Sequence, residues 1–303
     1  MQLTAAMAFF GFALPAILVA AGLILAWRAW RGASLCNGRW IAGPLIAAGL
    51  AVAFPAIEQT HPPWPPGNGN AVFLIFYFAI ALGVLAFLQD LLRPSWWLAA
   101  LLLILICRLF MRSILAPQVP RLISDFDAET WIDAATAVAL VSWLAMQQLA
   151  RSAPGPTVPL VLGIVCAGWA VVLVTWHIIR SGELAGTLAI MCAAAAAISI
   201  WRRRITLAGG GASAIVLLLL GLVAHAYFYS DDTFSPAQQV RTVILLAAPL
   251  LAFAGDLPGI RNARPGWRLA ARLVPLLVAV GVVAGLSAAE YAGAPAINQP
   301  ADE

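Results

Sequence analysis

Runs of apolar residues about as long as a bilayer is thick recur along this 303-residue chain, and no other feature of the sequence constrains its fold so tightly. They cover approximately 1 to 26, 41 to 57, 71 to 91, 96 to 116, 131 to 150, 157 to 179, 185 to 201, 205 to 229, 240 to 256 and 267 to 289. In hydrocarbon an unpaired backbone N–H or C=O costs several kcal/mol, so only helices or closed barrels can cross. Barrel strands alternate apolar and polar residues, and these Leu, Ala and Val runs do not, so the expected fold is an all-α polytopic transmembrane bundle. At 1.5 Å per residue a span takes roughly 20 residues, which makes 41 to 57, 185 to 201 and 240 to 256 the shortest candidates. The count is therefore about ten, within nine to eleven.

Hydrophobic residues make up 63% of the chain and charged ones 10%, with mean hydropathy +0.93, so lipid is the solvent for most of it. All 17 basic residues are Arg. Without Lys there is no Walker-A loop to bind a nucleotide and no pyridoxal-phosphate or retinal Schiff base. Arg is scattered along span ends instead of forming one basic face, so no nucleic-acid role is expected. Cys36, Cys107, Cys166 and Cys192 stand alone, which argues against a disulfide framework or zinc knuckle. No cofactor or metal is expected.

The opening stretch carries no side-chain charge before Arg28 and Arg31, which is the pattern of a retained first span and not of a cleaved leader. One set of loops and helix ends holds twelve Arg and two acids, and the opposite set holds five Arg and eleven acids. Arg near spans resists translocation, so the twelve-Arg side is expected to be cytoplasmic, with both termini on the non-cytoplasmic side of a cell membrane. The whole chain, 1 to 303, reads as one membrane domain with a polar tail at 290 to 303. The segment around Pro154, Gly155 and Pro156 divides it into halves at 1 to 150 and 157 to 289, five spans each, the arithmetic of an inverted repeat.

Helix starts are marked locally. Ser235, Pro236 and Gln238 form a capping box with proline at the first helical position, and Asn70, Ser95 and Asp127 stand where caps belong. The prolines of HPPWPPGNGN at 61 to 70 exclude a helix there. Gly281 and Gly285 form a GxxxG pair, Gly209, Gly210, Gly211 and Ser213 open the eighth span, and Ala193 to Ala197 thin the seventh. These three spans are expected to form the inner bundle, with the Phe- and Leu-rich third and fourth outside it.

The candidate binding residues are Arg108, Arg112, Asp133, His177 and His225. Arg108 and Arg112 lie four apart on one helical face, Arg108 near mid-membrane, where insertion of Arg costs about 2.5 to 3.5 kcal/mol. Arg108 can meet an anionic solute or pair with Asp133, near the start of the fifth span. His61, His177 and His225 fall toward the outer side, His225 close in sequence to Asp231 and Asp232, without metal-ligand spacing. The acid-rich SDFDAETWID lacks the spacing of the magnesium-diphosphate motifs of membrane prenyl transferases, and its acids suit the start of a helix. No catalytic constellation is present. The sequence is best read as a secondary transporter or permease for a small polar or anionic solute, embedded in the lipid bilayer. An enzyme acting on a lipid or lipid-linked substrate at the outer leaflet and a non-catalytic subunit or scaffold are the alternatives.

Overall fold

A computed structural model describes residues 5–29, 39–60, 62, 71–92, 95–116, 124–153, 155–202, 207, 209–229, 235–261 and 263–293. Ten helices in it are long and apolar enough to cross a membrane, and no strand occurs among the described residues. The first, α1, runs through Ala5–Met7, a π-helical stretch Ala8–Ala13, and Leu14–Ala29. It is followed by α2 (Arg39–Glu58), α3 (Ala71–Leu92), α4 (Trp96–Leu115) and α5 (Asp125–Ser152). Next come α6 (Thr157–Thr175), α7 (Ile179–Trp201) and α8 (Gly210–Tyr229). The ninth, α9 (Pro236–Ala247), continues as a 3-10 helix, Ala248–Asp256, and α10 is Pro265–Gly293. The three shortest apolar runs become helices of 20, 23 and 21 residues, because each extends past its apolar segment into polar end residues.

The polar ends depend on local chemistry. Ser235 accepts from the Gln238 amide while the Gln238 side chain accepts from the Ser235 amide, so the capping box forms as expected. Ser95 occupies the cap of α4 without a side-chain hydrogen bond. Asp127 does not cap α5. Ser124 does, accepting from the Asp127 amide at 3.1 Å, and the helix begins at Asp125, before its apolar run. Asp125 and Asp127 thereby fall in the first turn, where the helix dipole favours negative charge. The site foreseen for Asn70 lies outside the described residues.

The bundle is organised around α8, of which 83% of the membrane-spanning window is buried and which packs against α2, α3, α4, α5, α6 and α7. Small residues make this possible. A Cβ on Gly210 would lie 2.6 Å from the Ala86 carbonyl oxygen, one on Gly43 would collide with the Ala86 Cβ, and one on Gly83 would lie 2.5 Å from the Ala47 Cβ. The backbones of α2, α3 and α8 therefore cross at glycine and alanine, the close approach that holds helices together without a hydrophobic driving force. The expected interior position of α8 is borne out, whereas α7 is half buried, with Ala193 and Ala197 facing outward. That of α10 is corrected, since nothing approaches within 4 Å of a Cβ placed on Gly281 or Gly285. GxxxG permits close approach only to a helix that faces it. Here α10 turns Leu276, Val280, Val283 and Ser287 inward, with Val280 filling the notch at Gly168 of α6.

Proline leaves carbonyls that need other donors. Pro15 has no N–H to return to the Gly11 carbonyl, and the Thr187 hydroxyl of α7 donates to that oxygen at 2.8 Å. Thr187 is fully buried, so Thr187→Val should strand the carbonyl and destabilise the protein by about 1–3 kcal/mol, whereas Thr187→Ser should restore it. Thermal melting of the purified variants checks this, and equal melting of Val and wild-type protein would contradict it.

Candidate functional site

Two of the five residues singled out in the sequence meet directly. Arg108 of α4 forms an ion pair with Asp133 of α5, and its other terminal nitrogen donates to Glu129 at 2.9 Å. Helical spacing explains the reach, because Glu129 and Asp133 are four apart and share the face of α5 that α4 covers. The group lies on the flank of the bundle, with the Arg108 and Asp133 side chains 43% and 63% exposed. Arg112 is exposed one turn further on and has no ion pair among the described residues. An Arg108 already held by two carboxylates on an outer face is not arranged to receive a solute inside the bundle.

The two described candidate histidines do different work. His177 has φ 63° and sits just beyond α6. The amide of Ile178 donates to the Leu173 carbonyl at 3.0 Å and the amide of His177 to that of Val174 at 3.1 Å, the Schellman closure of a helix C-terminus. It makes the tight turn into α7 and rests its exposed ring 5.3 Å from that of Tyr291. His225 of α8 points inward instead. Its Nδ1 is 3.3 Å from the Ser181 hydroxyl of α7, and its ring stacks on Tyr229 at 5.0 Å. His61, Asp231 and Asp232 lie outside the described residues.

Beside the Ser181–His225 contact, the fold gathers residues that the sequence does not bring together. Glu58 closes α2, and Arg180 and Glu183 stand in the first turns of α7, all within electrostatic reach of one another. The antiparallel packing of α2 on α7 fixes this register, since Gly49 of α2 lies against Met191 of α7 and Gly11 of α1 lies between Ile57 and Thr187. Each of the three charged side chains keeps one polar atom buried without a hydrogen-bond partner: Glu58 Oε1, Arg180 Nη1 and Glu183 Oε2. In low dielectric such an atom costs about 1–3 kcal/mol or more unless water, an ion or a solute serves it. The set offers one cationic donor and two anionic acceptors at a single end of the bundle. Among the described residues no group of three His, Cys, Asp or Glu side chains could hold a metal ion.

Sequence reasoning misses Glu58, Arg180 and Glu183 because each reads alone as a charge at a helix end, and three other spans, α3 to α5, separate α2 from the α6–α7 hairpin along the chain. One signal was available: Glu183 falls a full turn inside an apolar helix that starts at Ile179.

Ten apolar helices make this a multi-pass helical membrane protein. No family model, curated protein or solved structure matches the chain.

Proposed function

We propose that this protein is a carrier for a small polar or charged solute, with Glu58, Arg180 and Glu183 as the solute-facing group. The observation that carries this reading is the three buried, unpartnered polar atoms contributed by two helices at one end of the bundle. Two of these atoms are carboxylate oxygens and one a guanidinium nitrogen, so together they offer both signs of charge to a polar occupant. Interrupted helices support the reading, as carriers place sites where helices break. The π-helical stretch of α1 adjoins this end, with Gly11 against Ile57 and Thr187. By the Arg distribution, the site opens to the non-cytoplasmic side.

The Ser181–His225 contact favours a second reading, a membrane enzyme with a serine nucleophile. Ser181 is fully buried, which weighs against it, and labelling of Ser181 by a fluorophosphonate would reverse that judgement. The carrier reading is tested with purified protein in proteoliposomes, using counterflow of radiolabelled amino acids, carboxylates, sugars and organic cations. One class should show saturable flux that falls at least about tenfold in Arg180→Gln and Glu183→Gln while both variants stay monodisperse, the loss expected when about 1.4 kcal/mol of binding is removed. Flux unchanged in both variants, or absent for every class, contradicts the proposal.

A further inference from the structure

The flank formed by α4 and α5 presents Leu101, Leu105, Leu109, Val141 and Leu144 outward, as a lipid-facing surface should. Four charges interrupt it: Arg108, Arg112, Glu129 and Asp133. Two carboxylates share Arg108, so that trio carries one surplus negative charge, and Arg112 carries one positive charge with no ion pair among the described residues. The 20 residues of α4 match the roughly 30 Å hydrocarbon core, which sets Arg108, two turns before Leu115, about 10 Å below its edge.

We infer that this flank is the interface of a two-fold homodimer, in which Arg112 of each copy meets the Glu129–Asp133 pair of the other. A two-fold interface is self-complementary, so a surface carrying one unpaired cation and one surplus anion satisfies both when it meets a second copy. A lipid phosphate would pair with Arg112 but leave the surplus carboxylate charge in hydrocarbon. The second copy supplies both charges and covers the leucines of α4.

The test uses the full chain in native membranes, in a Cys36→Ser background, since Cys107, Cys166 and Cys192 are buried. Leu109→Cys should form a disulfide-linked dimer on mild oxidation, and adding Arg112→Gln should cut the linked fraction about tenfold, equivalent to ~1.4 kcal/mol. Leu105→Trp, which adds bulk to the same face without touching a charge, should also give monomers by light scattering in nanodiscs. A monomeric wild type, a linked fraction indifferent to Arg112, or preferential linking through Gly285→Cys on α10 would each overturn the inference. Loss of the dimer only when anionic lipid is removed would assign Arg112 to lipid and overturn it as well.

Discussion

Gly210→Leu should abolish or severely weaken folding, while Gly285→Leu should leave thermal stability nearly unchanged. The two glycines look equally important in an apolar sequence, but their surroundings are opposite. At Gly210 a Cβ would meet backbone atoms of Ala86 at 2.6 and 2.7 Å, and backbone cannot rotate away as a side chain can. Overpacking a well-packed core already costs about 1–3 kcal/mol, and here the whole of α3 must move off α8. At Gly285 there is open space within 4 Å. Melting curves of both variants in one detergent check the contrast; similar losses in both would mean that α10 has a neighbour at that face.

Asp256→Ala should destabilise by about 3–5 kcal/mol, because it leaves a buried guanidinium without its counter-charge. Arg272 of α10 is 3% exposed and donates to Asp256 at 2.6 Å and to the Ser152 hydroxyl at 3.3 Å, while Arg268 lies 3.7 Å from the same carboxylate. This network joins the ends of α5, the 3-10 segment and α10. Gly255 is part of the arrangement, since a Cβ there would strike the Arg272 Cγ. Replacing both partners, as Asp256→Ala with Arg272→Met, should recover much of the loss, because apolar side chains carry no desolvation penalty. A double variant less stable than Asp256→Ala would show that Arg272 contributes chiefly through packing.

Spans, the capping box at Ser235 and the Arg108–Asp133 pair were legible because each depends on residues close in sequence or on adjacent helices. Apolar length sets the helices, Ser235 and Gln238 set a start, and a charged pair on neighbouring helices has few places to go. What escaped depends on which helices face one another. The GxxxG of α10 could not announce that nothing opposes it, while Gly43, Gly83 and Gly210 could not announce that they meet at one crossing. The bond from Thr187 to Gly11 joins residues 176 apart, and the Glu58, Arg180 and Glu183 group requires α2 and α7 in register. His177 was visible as a possible ligand, but its positive φ and the closing of α6 give it a backbone role that no side-chain pattern reveals.

Water access to the Glu58, Arg180 and Glu183 group tests the central claim most directly. In intact cells expressing the Cys36→Ser background, a membrane-impermeant maleimide should label Glu183→Cys without permeabilisation, and should label Arg264→Cys, exposed at the opposite end of the bundle, only after it. Labelling of Glu183→Cys only after permeabilisation, or not at all in folded protein, would contradict a solute site open to the non-cytoplasmic side.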